Sequence, residues 1–286
     1  MSAGKNTKSY QALRCQTKGD STHSPDQAAE PALDQGQTID LELIGEEPFL
    51  IRIDDKPYSV VMRTPGEEVF HAAGFCLGEG IADTVDDFKT IGYDNDSDPN
   101  IIDIWLKPAR SKKIPHLLER RGFVSQTSCG ICGKEMMKEL HQILTPAASG
   151  FQVDINHVFD CIGKLSTNQK YYQRTRGSHA AIIFDDRLQA VSFAEDVGRH
   201  NALDKAIGKL FMEGTLSCAR ILVLSSRISY ELVQKAARAH LPMMISNSRP
   251  TALAAEMGQA LNMTLAFPTK ENEIIIVCGE NRINRQ

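Results

Sequence analysis

The chain has 286 residues, 42% hydrophobic and 24% charged, with a formal net charge of −4. That length and apolar content suit a soluble globular protein of one large or two modest domains. The near-neutral balance excludes general attraction to nucleic acid and leaves only a local basic patch as an anion site. No apolar run reaches the length of a membrane span. The polar N-terminus lacks the apolar stretch of a secretory signal, so a cytoplasmic location is the expectation.

Residues 1–37 are rich in Ser, Gln, Thr, Asp and Gly and read as a flexible leader. Order is expected from about Ile39. Phe49–Ile53 and Tyr58–Met62 are β-branched runs around the turn signal Asp54-Asp55-Lys56-Pro57, the pattern of a hairpin. Thr64-Pro65-Gly66-Glu67-Glu68 opens a helix to about Leu77, closed by Gly78-Glu79-Gly80. Ile101–Leu106 is a strand. A basic stretch from Arg110 to Arg121 leads to Cys129-Gly130-Ile131-Cys132-Gly133, after which Lys134–Leu144 has helical spacing.

Thr145–Gly150 reads as a boundary, giving a small α+β part (38–150) and an α/β part (151–286). In the second part, Val153–Lys164 is a helix. Ala180–Phe184 and Leu188–Phe193 are strands around Asp185-Asp186. Helices His200–Met212, Tyr230–His240 and Thr251–Leu261 then alternate with apolar strands Ile221–Leu224, Met243–Ser246, Thr264–Phe267 and Ile274–Val277. Alternation of this kind predicts an α/β layer on a largely parallel sheet.

The chain has seven cysteines, an odd and scattered set that suits a reducing compartment better than a disulfide scaffold. A thiol reacts as its thiolate, and a helix N-terminus with Lys134 alongside favours the anion at Cys129 or Cys132. Gly130 and Gly133 leave room for a large partner. Three chemistries compete. Zinc needs four ligands, but Cys161 and His141 belong to no second close pair. A deaminase-type centre wants His-x-Glu and Pro-Cys-x-x-Cys; Gly177-Ser178-His179-Ala180-Ala181 lacks the glutamate, and no proline precedes Cys129. A thiol–disulfide oxidoreductase motif follows a strand, whereas a basic irregular segment precedes this one. The third chemistry is a sulfur carrier holding a persulfide on one cysteine.

Glu195-Asp196-Val197-Gly198-Arg199-His200-Asn201-Ala202-Leu203-Asp204-Lys205 is dense in polar side chains. As a plain strand-to-helix turn it exposes Asp204 and Lys205 to water. Arg199 and His200 nevertheless follow an apolar strand, and ligands of open α/β sheets bind beyond the carboxyl ends of strands. Ser225-Ser226-Arg227 and Ser246-Asn247-Ser248-Arg249-Pro250-Thr251 have the same placement. Each offers hydroxyls, an arginine and a helix start, a set suited to phosphate. No Walker A run or Gly-x-Gly-x-x-Gly is present, which disfavours an ordinary nucleoside triphosphatase or dinucleotide dehydrogenase.

Together these segments resemble one family, the formate dehydrogenase accessory sulfurtransferases, or FdhD family. Met62-Arg63-Thr64-Pro65-Gly66, Gly74–Gly80, Ser128–Lys134, Glu195–Lys205, Arg227–Glu231 and Pro250–Ala254 resemble its motifs in order. The resemblance implies a C-terminal cytidine-deaminase-like three-layer α/β/α sheet, with a smaller N-terminal domain presenting a flexible cysteine loop. It also implies a homodimer that takes sulfur from a cysteine desulfurase as a Cys129 persulfide, with Cys132 as loop partner. The acceptor it implies is a molybdenum or tungsten bis-guanine-dinucleotide cofactor destined for formate dehydrogenase, bound transiently as substrate and with no permanent metal. By correspondence, Arg199, His200, Ser225, Arg227, Ser248 and Thr251 face the cofactor, as does Phe267-Pro268-Thr269-Lys270-Glu271-Asn272-Glu273. That last segment departs from the family's Phe-x-Arg-Gly-like pattern, and Ser226 stands where the family often has glycine. A non-catalytic cofactor chaperone is the alternative that keeps the arginine loops without the thiols.

Overall fold

A computed structural model of the protein describes residues 6–14, 36–93, 98–118, 144–270 and 272–284. Cys129, Cys132, the helix expected over 134–144 (Leu144 apart) and Glu271 lie outside the described residues.

The first element corrects the expected leader. Thr7–Arg14 is a strand, β1, paired antiparallel with β2 (Gln37–Ile44) over eight residue pairs. Its small and polar side chains hid the alternation. Tyr10 faces Leu41 and Ala12 faces Ile39 on one side of the ribbon, as the two-residue side-chain period requires.

A four-stranded sheet follows. β3 (Glu47–Ile53) and β4 (Lys56–Arg63) form the expected hairpin, but only Asp54 and Asp55 make the turn, both in the left-handed region. Short polar side chains tolerate that conformation. Helix α1 (Glu68–Gly78) starts and stops close to where its sequence signals place it. β5 (Phe88–Tyr93) and β6 (Ile101–Leu106) complete the sheet in the order β4-β3-β6-β5. The basic stretch beyond it supplies two helical turns, α2 (Pro108–Ser111) and α3 (Pro115–Leu118).

After the short β7 (Val153–Asp154), α4 (Ile155–Asn168) and α5 (Lys170–Thr175) precede the main sheet. Its strands are β8 (His179–Phe184), β9 (Ala190–Asp196), β10 (Ile221–Leu224), β11 (Met243–Ser246), β12 (Thr264–Lys270) and β13 (Glu273–Cys278). Helices α6 (Arg199–Met212), α7 (Tyr230–Arg238) and α8 (Ala252–Ala260) connect them, and a final β14 (Ile283–Asn284) pairs with β7. The strand order is β13-β12-β11-β10-β8-β9. The sheet is mixed, which corrects the expectation of a largely parallel one. Only β10–β11 and β11–β12 are parallel, while β8 runs against both its neighbours and β13 against β12. The alternation of helices and strands misled here because β8–β9 and β12–β13 are hairpins with no helix between their strands.

Both faces of this sheet are covered, which explains its continuous apolar strands. Ala180, Ile182 and Phe184 pack with Val158, Cys161 and Leu165 of α4. Ala181 and Ile183 point the other way, into a larger core. That core also takes in α1, α6, α7, α8 and the inner face of the small sheet, including Phe49, Ile51, Ile102 and Ile104. The segments 38–150 and 151–286 therefore share one hydrophobic core.

The link is a backbone-close crossing of α1 and α6. A Cβ placed on Gly74 would lie 1.9 Å from the carbonyl oxygen of Asp204, and one on Gly208 would lie 1.8 Å from that of Phe70. No side chain larger than hydrogen fits either position. Gly74→Ala or Gly208→Ala is expected to destabilise the protein by at least ~1–3 kcal/mol, the usual cost of overpacking. Gly163→Ala, on the exposed side of α4 with nothing within 4 Å of the added carbon, should instead gain about 0.5–1 kcal/mol. Urea unfolding of the three variants reads both signs.

Candidate functional site at the carboxyl edge of the sheet

Because β8 opposes both β9 and β10, strands β9, β10, β11 and β12 all point the same way. The loops that follow them emerge on one edge. These are Val197–Arg199, Ser225–Ser229, Asn247–Thr251 and the end of β12 from Phe267 to Lys270. The amino end of the reversed strand β8, with His179 as its first residue, lands on the same edge.

The Glu195–Lys205 segment is mostly buried where it was expected to be wet. Asp196 is fully buried, and Asn201, Asp204 and Lys205 are nearly so. The Asp196 carboxylate takes Lys205 Nζ at 2.7 Å, the Gly198 N–H and Asn201 Nδ2 at 2.8 Å, and the Thr64 N–H at 3.1 Å. Lys205 Nζ also donates to the Thr64 carbonyl at 2.7 Å, and the Val197 N–H donates to Thr64 Oγ1 at 3.0 Å. Asn201 Nδ2 reaches the Met62 carbonyl at 2.7 Å. Two motifs more than 130 positions apart in the chain are thus tied by one buried network. Asp204 instead receives Lys235 Nζ from α7 at 3.0 Å. These residues face the core because they join elements, and their polarity in the sequence carries no sign of that.

Arg199 and His200 form the first turn of α6 at the edge. His200 Nε2 lies 3.1 Å from Glu231 Oε2, and Ser229 Oγ donates to the same oxygen at 3.1 Å. The hydrogen bond from His200 holds the Glu231 carboxyl below its usual range. Arg227 and Arg249 are exposed, and the Arg249 guanidinium sits 5.9 Å from the centre of the Phe267 ring. Thr251 caps α8, its Oγ1 accepting the Ala254 N–H at 3.2 Å. The Ser248 N–H is held by Ser246 Oγ at 3.1 Å. Pro268, Thr269 and Lys270 rise past the end of β11, turning at Asn272 into β13, where Glu273 pairs with Lys270. The expected residues within the described chain therefore share one edge. They do not converge on one point: Thr251 and Ser248 are occupied in local turns, and the β12–β13 tip projects outward.

The concave part of the edge is a half-open cleft of about 600 Å³. Of the expected residues among those described, only Ser225 lines it. Its other walls come from α5 and its surroundings (Gln169, Tyr172, Gln173, Arg176), from Ser178 and His179, and from Asn247. The Arg176 guanidinium lies 5.2 Å from the Tyr172 ring centre. Glu195 secures this wall, accepting the Tyr171 and Tyr172 N–H groups at 2.9 and 3.0 Å and Ser178 Oγ–H at 2.8 Å. These wall residues went unrecognised in the sequence. In the sequence, Gly177-Ser178-His179 looks only like an incomplete deaminase motif, and the apolar run after it does not show which edge its start reaches. Burial lowers the His179 pKa, and the nearby charges of Arg199 and His200 lower it further.

Among the described residues, no group of three or more His, Cys, Asp or Glu side chains is placed to hold a metal ion, and no helix is long and apolar enough to cross a membrane. Of the four described thiols, Cys76, Cys161 and Cys278 are buried and Cys218 is half-buried. Burial pushes the pKa of each of the three buried thiols upward, that of Cys161 to about 11.

Fold and site define a mixed α/β protein with a cation-bearing sheet edge beside a polar cleft. The FdhD/NarQ family model matches residues 44–284, and the chain belongs to that family. It is similar to proteins named sulfur carrier protein FdhD. That of Streptomyces avermitilis is 32% identical over 254 residues, 84% of this chain and 88% of the relative. That of Mycobacterium tuberculosis is 34% identical over 262 residues, 87% and 94% of the two chains. A solved structure assigned as a formate dehydrogenase accessory protein from Desulfotalea psychrophila shares the fold. Its TM-score is 0.73 at 18% identity, covering 98% of this chain and all of that one.

Two outcomes follow from this geometry. Asp196→Asn or Lys205→Met leaves the partner charge buried and unpaired, at a cost of about 3–5 kcal/mol. The double variant should cost less than the sum, as a urea double-mutant cycle will show. Iodoacetamide at pH 7 should leave Cys76, Cys161 and Cys278 unmodified in the folded protein, with labelling at these positions appearing only on unfolding, as peptide mass mapping reads directly.

Proposed function

We propose that this protein is a sulfur carrier serving formate dehydrogenase, moving sulfur from a cysteine desulfurase to a guanine-dinucleotide form of the molybdenum cofactor. The observation that carries the reading is the cleft at the carboxyl edge, on an edge that also bears Arg199, Arg227 and Arg249, in a chain whose relatives are named as sulfur carriers. Helix starts and guanidinium groups on a strand edge are the recurring means of holding nucleotide phosphates. The sheet order, with β8 reversed among the four strands that agree and β13 reversed at the far edge, supports the cytidine-deaminase-like reading of the C-terminal part.

The sulfur-bearing residue in this reading is Cys129. Its thiolate attacks the terminal sulfur of the donor's persulfide. The donor's S–S bond breaks, the donor cysteine leaves as thiolate, and Cys129 holds the new S–S bond. Delivery as sulfide needs a two-electron reductant, and the Cys132 thiolate meets that need. Attack on the inner sulfur forms the Cys129–Cys132 disulfide and releases hydrosulfide to the bound substrate. Two external thiols then reduce that disulfide, the first forming a mixed disulfide with one loop cysteine and the second freeing it as the external disulfide leaves. The burial of Cys76, Cys161 and Cys278 agrees with a packing role for those thiols.

The reading is tested by incubating the protein with desulfurase and cysteine without reducing agent. Intact mass should rise by one sulfur atom in the wild type and in Cys132→Ala, and not in Cys129→Ala. Full sulfuration of the target by Cys129→Ala would replace the carrier with a cofactor chaperone. Reduction of generic disulfides with no desulfurase present would point to an oxidoreductase.

A further inference from the structure

The cleft contains a hydrogen-bond relay that none of the arginine loops explains. The Ala180 N–H donates to Ser225 Oγ at 2.9 Å. Ser225 Oγ in turn lies 3.5 Å from His179 Nδ1. A hydroxyl has one proton to give. One lone pair of that oxygen accepts from the backbone, and Nδ1 is the acceptor nitrogen within reach of its proton. When the hydroxyl donates there, Nδ1 is the bare nitrogen of the ring and Nε2 carries the hydrogen. A second observation in the same cleft points to a ligand. Gln169 is nine-tenths buried, and its Nε2 has no hydrogen-bond partner among the described residues. An unmet buried donor is costly, and it stands in a wall that already carries the Arg176 guanidinium.

We propose that His179 is a neutral hydrogen-bond donor to the ligand of this cleft, its tautomer fixed by Ser225, and that together with Gln169 and Arg176 it makes the cleft selective for oxygen-rich acceptor groups. The inference rests on the nucleotide reading above, and it assigns to His179 and Gln169 a part of recognition that the arginine loops do not supply. Charges around the ring act consistently with it. Arg199 and His200 at the start of α6 oppose a charge on His179, and only Asp196 at the end of β9 favours one. Arg176 lines the same cleft as a further cation. A second cation on the ring would have to be placed beside these groups, whereas a neutral N–H donates to phosphate or carbonyl oxygen without that repulsion.

The test uses the full chain labelled with nitrogen-15 at histidine. Two-bond nitrogen–carbon-proton correlation at pH 7 should show His179 neutral, with the proton on Nε2. Ser225→Ala should move a measurable share of it to Nδ1. A wild-type ring found doubly protonated, or protonated on Nδ1, overturns the proposal. Titration with GDP as probe, followed by calorimetry, supplies the second arm. Loss of one neutral hydrogen bond should weaken binding roughly fivefold to tenfold in His179→Ala. His179→Gln, which keeps a neutral donor, should recover most of it. If wild type and His179→Ala bind GDP equally, the role of His179 falls while the nucleotide reading stands. If the wild type binds no GDP, both fall.

Discussion

The buried carboxylate of Asp196 is the constraint on which the arrangement rests. Removing a charged carboxylate from water is expensive and is tolerated only when its oxygens are filled. Here they are filled by one ammonium, two backbone N–H groups and one side-chain amide. Those donors come from the end of β4 and from both sides of the turn into α6. Each is needed by the carboxylate, so none of these segments can leave without stranding a charge. The turn that presents Arg199 and His200 is therefore held from below by residues that never reach the surface.

That network works alongside the helix crossing beside it. Gly74 and Gly208 let α1 and α6 meet at backbone distance. The four-stranded sheet is brought onto the same core as the main sheet. The described chain ends at Leu118 and resumes at Leu144, and both residues pack against this core. The Ala147 N–H bonds the Leu261 carbonyl at 2.8 Å just after the return.

Much of the second half was legible in the sequence. Its strands are unbroken apolar runs and its helices have clear starts, so α6, α7 and α8 fall within a few residues of their expected limits. The strand β1 was hidden because Thr7–Arg14 holds few apolar residues and is stabilised by a partner strand some thirty positions away. Strand direction was hidden too, since a hairpin and a crossover begin with the same apolar run. The edge at which β8 starts is set by its pairing with β10, which no local pattern shows, and so His179 and most of the cleft wall stayed hidden. The family motifs led to one edge of the sheet, but they could not separate residues that line the cleft, such as Ser225, from residues that hold the frame, such as Asp196 and Lys205. Burial depends on contacts with Thr64 and Met62, far off in sequence, and no local pattern encodes them.

The glycine crossing has a mechanical consequence. Packed helices usually slide by letting interdigitated side chains change rotamer, the basis of shear motions. At Gly74 and Gly208 there is no side-chain layer to yield, because peptide groups touch directly. Translation along the helix axes would drive carbonyl oxygens into α-carbons. What the contact leaves free is small-angle rotation about the point where the helices touch. Force applied to the small sheet by a docked partner would reach the cleft edge as torque about a fixed pivot, transmitted through α6 to Arg199 and His200 at its first turn.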